Sequence, residues 1–172
     1  MINIHLLDQP ELDIRYTDVL TALDQRVREK DAAPYLYPKT KDFYRQCLAG
    51  ECYNILALND EDVIGYAALR RMSPWPAYLE KVEYPESECA LMLHNMVDPS
   101  WRGQGIAKLL NQGRITLARE QGLRYLFSTV HPENTPSIKS LKRSGFRVLD
   151  QRKMFSEQLL RNLMFLDLNE QQ

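Results

Sequence analysis

Neither sign of charge predominates in this sequence: 22 Lys and Arg residues stand against 23 Asp and Glu, for a formal net charge of −1. A chain so balanced has no overall field for a polyanion, which excludes nucleic-acid binding through bulk electrostatics. Long hydrophobic runs are missing too, so no membrane span or membrane partner is expected. The stretch "MINIHLLDQPELD" lacks a basic region followed by an apolar one, so no signal peptide is expected. Cysteine is sparse and odd in number. Cys47, Cys52 and Cys89 cannot make a fully paired disulfide framework, and none of their spacings is a metal or redox motif. Three reduced thiols in a cytoplasmic protein are the expectation. No His, Cys, Asp or Glu cluster has ligand spacing, so no metal is expected.

Glycine is also scarce, with seven in 172 positions, yet Gly103 and Gly105 fall together in "VDPSWRGQGIAKLL". The chain around them reads as one domain over residues 1–172, with 44% hydrophobic residues and no repeat or Gly/Ser linker. "INIHLLD" reads as a first strand. Thr17 to Lys30 places Val19, Leu20, Leu23 and Val27 at helical spacing. A second short helix covers Thr40 to Leu48, after Pro38 and before Gly50. "CYNILALNDEDVIGYAALRRM" reads as a hairpin, and the proline-rich "SPWPAYLEKVEYPES" as an irregular loop. "ECALMLHNMV", residues 88–97, is a near-continuous apolar run, the pattern of a strand covered on both faces. A helix from Gly105 to near Gly122, the strand "RYLFSTV", a helix from Pro136 to Arg143 and the strands "FRVLDQRKMF" and "NLMFLDL" complete a mixed α/β domain.

A strand ending at Val97 and a helix starting near Gly105 enclose a short turn. The first N–H groups of a helix have no intrahelical acceptor, and the helix dipole adds positive potential there. Glycine lets the backbone approach an anion without a β-carbon in the way, so the turn suits phosphate, with Arg102 and Lys108 at its edge. Two phosphate loops fail on spacing. The P-loop requires a second glycine followed by Lys-Ser/Thr, and the dinucleotide fingerprint requires Gly or Ala where Lys108 stands.

Arg102-x-x-Gly105-x-Ala107 does fit R/Q-x-x-G-x-G/A, and the wider "VDPSWRGQGIAKLL" closely resembles the strand-turn-helix of the GNAT family of N-acetyltransferases. A second match follows in "HPENTPSIKSLKRSGF", which resembles the family's N-x-x-[AS]-I, short helix, Gly-Phe motif through Asn134, Ser137, Ile138, Gly145 and Phe146. The resemblance covers Tyr53 to Leu168, with core motifs in 88–146; residues before that match only in having a strand and two helices. It implies a mostly antiparallel sheet of about six to seven strands, splayed between the fourth and fifth, with about four helices. It also implies an acetyl-CoA cosubstrate whose pyrophosphate lies on Arg102, Gly103, Gln104, Gly105, Ile106, Ala107 and Lys108. The pantetheine arm would then pair with the backbone of Asn95, Met96 and Val97 and meet Asn134 from the other side.

By the same resemblance the acetyl group passes to a primary amine by direct attack in a ternary complex. A backbone N–H near Met96 is the implied oxyanion donor. Glu88 and His94, six residues apart, are the candidate bases, since period-two geometry sets them on one face. Each also has a plain reading: a solvated strand-start residue, and a half-buried histidine with a satisfied hydrogen bond. Many members carry a tyrosine seven residues after the asparagine that protonates the leaving thiolate; Leu141 stands there and cannot. Trp75 and Tyr78 either line an acceptor pocket or pin the loop to the body. The acceptor is a small-molecule or peptide amine that no motif selects, and the sequence leaves a homodimer open. The alternative function is an acyl-CoA-binding or sensing module with little or no turnover.

Overall fold

The computed structural model describes every residue except 32–34, 36–38, 80–81 and 172. Its strands are β1 (Ile2–Leu7), β2 (Tyr53–Asn59), β3 (Asp62–Arg71), β4 (Cys89–Val97), β5 (Tyr125–Val130), β6 (Arg147–Met154) and β7 (Leu159–Asp167). They follow the hydrogen-bonded order β1-β2-β3-β4-β5-β7-β6. Pairing is antiparallel for β1–β2, β2–β3, β5–β7 and β6–β7 and parallel for β4–β5, so the expected mixed, mostly antiparallel fold is present. The helices are α1 (Pro10–Asp13), α2 (Thr17–Lys30), α3 (Lys41–Gln46), α4 (Ile106–Glu120) and α5 (Thr135–Arg143). The sequence reading anticipates all but α1, a single turn too short to show a period. It forms because Pro10 suits a first helical position and the Asp13 carboxylate accepts from the Gln9 N–H at 2.7 Å. Pro38, read as a helix boundary, and residues 80–81 of the proline-rich loop lie outside the described residues. No helix among the described residues is long and apolar enough to cross a membrane.

The chain divides into two compact units. The first comprises residues 1–69 and 94–114. Here α2 turns Leu20, Leu23, Asp24 and Val27 inward, the i, i+3, i+4, i+7 face of a helix. Val19, counted in the stripe from sequence, is 42% exposed because it lies one residue, about 100°, off that face. Asp24 is the polar intruder on the buried face, and Arg28 one turn later pairs with it at 2.9 Å. The hairpin β2–β3 reverses through Asp60, whose positive φ of 54° suits a short polar side chain.

The second unit comprises residues 70–93 and 115–172. Cys89–Leu91 of β4 pair in parallel with Tyr125–Phe127 of β5, and both strands run on past that ladder within the unit. Its core joins Leu91, Phe127, Leu163 and Phe165, with Tyr84 laid on Tyr125 and Phe165 at 4.5 and 5.1 Å between ring centroids. Arg124 grips Asp167 with two hydrogen bonds of 2.9 Å, which holds the Asp167 carboxyl below the usual range.

One residue in the first unit has no room to vary. A β-carbon on Gly65 of β3 would stand 3.1 Å from the Met96 carbonyl oxygen and 3.2 Å from Ile106 Cγ2 and Ala57 Cβ. Gly65→Val is therefore expected to destabilise the chain by roughly 1–3 kcal/mol through overpacking. Urea melts against wild type at one temperature check this; an unchanged midpoint contradicts the close approach.

Candidate active site

The turn between β4 and α4 lies wholly in the first unit. At Val97 the strand ends because Asp98 swings its carboxylate to accept from the Ser100 N–H at 2.9 Å, which starts the 3-10 turn Pro99–Trp101. The Asp98 N–H donates to the Ile64 carbonyl at 2.8 Å and keeps the exit on β3. Gly103 and Gly105 then adopt φ of +81° and +77°, left-handed values that disfavour any residue with a β-carbon. A β-carbon at either would find nothing within 4 Å, so the constraint is conformational and the space in front of the backbone is open. The first helical bond here runs from Leu109 N–H to Gly105 O at 3.1 Å, which leaves the N–H groups of Ile106, Ala107 and Lys108 ahead of any helical acceptor. Ile106 is 1% exposed and anchors the entry, while Gln104 and Lys108 are exposed. Open glycines, unspent donors and a helix dipole fit a diphosphate.

Arg102 departs from the sequence reading. Its guanidinium holds Asp31 in a two-point ion pair at 2.7 and 3.1 Å, so its charge is partly met by a carboxylate. Arg26 of α2 binds Asp98 at 3.0 Å through Nε and again through Nη2. Two ion pairs thus tie the turn to the end of α2.

Behind the turn is a buried polar network that the sequence reading missed. Arg114, 1% exposed, donates from Nη1 to the carbonyls of Ala68 on β3 and His94 on β4 at 3.0 and 2.8 Å, and from Nη2 to Asn111 Oδ1 at 2.6 Å. The Asn95 amide nitrogen reaches Asn111 Oδ1 at 2.9 Å and the Ala107 carbonyl at 3.1 Å. Burial pulls the Arg114 guanidinium down to about 9, still cationic at neutral pH. The signal was available in the spacing: Arg114 stands four residues after Leu110 and three before Leu117, a position periodicity marks as buried. The Asn95 side chain therefore joins β4 to α4, and only the strand's backbone is left to meet a cofactor arm.

His94 is 8% exposed, with ring centroids 5.1 Å from Phe43, 5.6 Å from Tyr44 and 6.2 Å from Tyr66. Its Nε2 is buried with no hydrogen-bond partner among the described residues. Burial, with Lys39 and Arg114 nearby, pushes its pKa down to about 3. That corrects the expectation of a histidine matched to neutral pH: desolvation and two cations make the imidazole too weak a base to take up a proton there. It corrects the plain reading in one respect, since the residue is buried rather than half-buried. Met96 is buried beside it, with its sulfur accepting from the Tyr44 hydroxyl at 3.5 Å.

The second unit carries the remaining candidates. Glu88 closes the 3-10 turn Glu86–Glu88 ahead of β4, so the period-two argument that paired it with His94 does not reach it. It is half-buried and keeps access to water. Asn134 caps α5, its Oδ1 accepting from the Ser137 N–H at 3.4 Å, a bond that does not involve its Nδ2 donor. Leu141 is 4% exposed, and its carbonyl accepts from the Phe146 N–H at 3.1 Å in the turn that ends α5. Trp75 is an anchor: its Nε1 donates to the Leu79 carbonyl at 2.8 Å, and its ring meets Phe127 edge-on at 6.2 Å. Tyr78 packs on Phe155 at 4.7 Å and lines a shallow cavity of about 240 Å³ with Asp150, Arg152 and Lys153.

The acetyltransferase (GNAT) family model matches residues 19–146. Among solved structures, the chain is similar to the Salmonella typhimurium protein yncA, assigned as an acetyltransferase and solved with its cofactor acetyl-CoA (19% identity, 98% of this chain and 94% of that one, TM-score 0.72). It is similar to an N-acetyltransferase from Staphylococcus aureus Mu50 (22%, 96% and 99%, 0.68). It is similar as well to the ribosomal-protein-S18-alanine N-acetyltransferase of Escherichia coli (17%, 98% and 94%, 0.69). At such identities these likenesses speak for the fold. No curated protein sequence matches the chain.

The buried histidine sets an acid limit. With a native pKa of about 3 against an ordinary 6.5, the unfolded chain binds a proton across that window that the native chain refuses. Stability present above the upper value is therefore lost as pH falls toward the lower one, by roughly 5 kcal/mol in full. His94→Leu is expected to lose clearly less Tm than wild type between about pH 7 and about pH 4. Equal losses in the two melting series contradict a neutral, buried imidazole.

Proposed function

The chain belongs to the acetyltransferase (GNAT) family, and from that premise we propose that it moves an acetyl group from acetyl-CoA to a primary amine, by direct attack within a ternary complex. The observation that carries the reading is the open turn with Gly103 and Gly105 in left-handed conformation and the Ile106–Lys108 N–H groups ahead of any helical acceptor. When bound, acetyl-CoA supplies an acetyl thioester, an acyl donor whose carbonyl is open to an amine. The turn's N–H groups hold the diphosphate, and the β4 backbone from Asn95 to Val97 orients the arm. The Met96 N–H is the donor for the developing oxyanion, on a strand whose position Arg114 fixes from behind. Asn134, with its amide donor outside the helix cap, is a further contact for the arm.

Glu88 takes the proton from the attacking amine, directly or through one water, because it is half-buried, while burial in an aromatic cage makes the His94 imidazole too weak a base. The acceptor is a small-molecule or peptide amine. Tyr78 and its cavity are the acceptor-side candidates, and Trp75 holds the loop that carries Tyr78. Leu141 favours a second reading, an acyl-CoA-binding module, since a leucine packed in the core has no proton for a leaving thiolate.

Acetyl-CoA and CoA are expected to raise the Tm where ATP and NAD do not; at about a hundred times its Kd a ligand stabilises by about 2.7 kcal/mol. A folded Gly105→Asp variant is expected to lose that shift, because a β-carbon and a carboxylate would face the diphosphate. A retained shift displaces the proposed site. Thiol release with an amine panel separates enzyme from binding module. Glu88→Gln is expected to lower kcat about 100-fold with acetyl-CoA affinity unchanged. Full turnover removes Glu88 from the role.

A further inference from the structure

Cys47 and Cys52 are separated by four residues, a spacing that in an α-helix points two side chains apart. Here they bracket a single π turn, Cys47–Glu51, closed by the Cys52 N–H to the Cys47 carbonyl at 3.4 Å. A turn that closes over five residues sets the two ends one above the other, and Gly50 at φ +117° makes the bend. The sulfurs lie 3.2 Å apart, with Cys52 Sγ donating to Cys47 Sγ.

The surroundings hold this approach in place. Asn54 Nδ2 donates to both cysteine carbonyls, at 2.9 Å to Cys47 and 3.1 Å to Cys52. Asn54 is itself oriented by the Tyr66 hydroxyl, which donates to its Oδ1 at 2.7 Å. The two thiols differ in access: Cys47 is 2% exposed, whereas Cys52 is half-buried. Burial pulls the Lys39 ammonium down from its ordinary value, and the neighbouring Cys47 and Asp24 partly offset that. Cys89, in the second unit, is the contrast. It is fully buried, and burial beside Glu88 and Glu86 pushes its thiol up to about 11.

We propose that Cys47 and Cys52 form a redox-active dithiol, an oxidation site that closes to an intrachain disulfide across the π turn. The oxidant is a low-molecular-weight disulfide. The Cys52 thiolate, on the accessible side, attacks one of its sulfurs, expels one small thiolate and is left as a mixed disulfide. The Cys47 thiolate then attacks Cys52 Sγ, expels the second small thiolate and forms the Sγ–Sγ bond. Two electrons pass from the cysteine pair to the small disulfide, and the two cysteine protons end on the two released thiols. Closure asks the sulfurs to move from 3.2 Å to about 2.0 Å, within reach of side-chain rotation.

The test treats the full chain with oxidised glutathione, alkylates the remaining thiols under denaturing conditions and maps the peptides by mass. The expected result is a peptide spanning both cysteines that has lost two hydrogens and takes no alkylating group, with Cys89 alkylated. In Cys47→Ser the expected result is a lasting glutathione adduct on Cys52, because the resolving thiol is gone. A lasting adduct on Cys52 of wild type, or separate alkylation of Cys47 and Cys52 after the same exposure, overturns the proposal. The wild-type measurement stands whether or not the serine variant folds.

Discussion

A single buried guanidinium fixes the strand-turn-helix of the first unit. Arg114 is a cation with three neutral acceptors, two of them backbone carbonyls on adjacent strands, β3 and β4, and the third an asparagine on its own helix. Burying such a charge is costly, and the hydrogen bonds from Nη1 and Nη2 to the Ala68 and His94 carbonyls and the Asn111 amide offset part of that cost, while Nε has no partner among the described residues. Asn95 extends that arrangement to the Ala107 carbonyl, in the first turn of α4. The consequence is positional. The end of β4 and the entry of α4 cannot slide along one another without leaving a buried donor or acceptor unmet.

Around that fixed point the first unit assigns its groups in layers. Aromatic rings from α3 and β3 enclose His94, exclude water and keep its imidazole neutral. Beyond them lies the π turn with its two thiols, bound through Asn54 to the Tyr66 hydroxyl and so to the same ring cluster. An aromatic cage that is dry on one side and touches a polar brace on the other holds α3 by packing and by hydrogen bonds together.

What was legible in the sequence was legible for local reasons. The two glycines of the turn announce themselves because only a left-handed backbone requires them, and α2 was bounded correctly by its own periodicity. The residues that escaped are those whose role is set by distant partners. Periodicity marks the Arg114 position as buried, but its partners, carbonyls on two strands and the Asn111 amide, are far away in sequence or carry no pattern of their own. His94 looks like a pH-matched base until three aromatic rings and two cations surround it. Trp75, left open between pocket and anchor, became an anchor once the Leu79 carbonyl and Phe127 were in place. Cys47 and Cys52 carry no recognised spacing, because the spacing becomes meaningful only on a π turn that no propensity foretells.

The Arg102–Asp31 pair changes how the diphosphate turn would meet an anion. Both partners are substantially exposed, at 42% and 38%, and an ion pair of that kind is worth about 1 kcal/mol or less. The guanidinium is therefore oriented by a carboxylate that it can leave at little cost. An incoming anion competes with Asp31 for a ready-made two-point donor, so recognition at this edge is an exchange of one anionic partner for another. Such an exchange would favour a ligand that offers the fork two anionic oxygens, as the Asp31 carboxylate does.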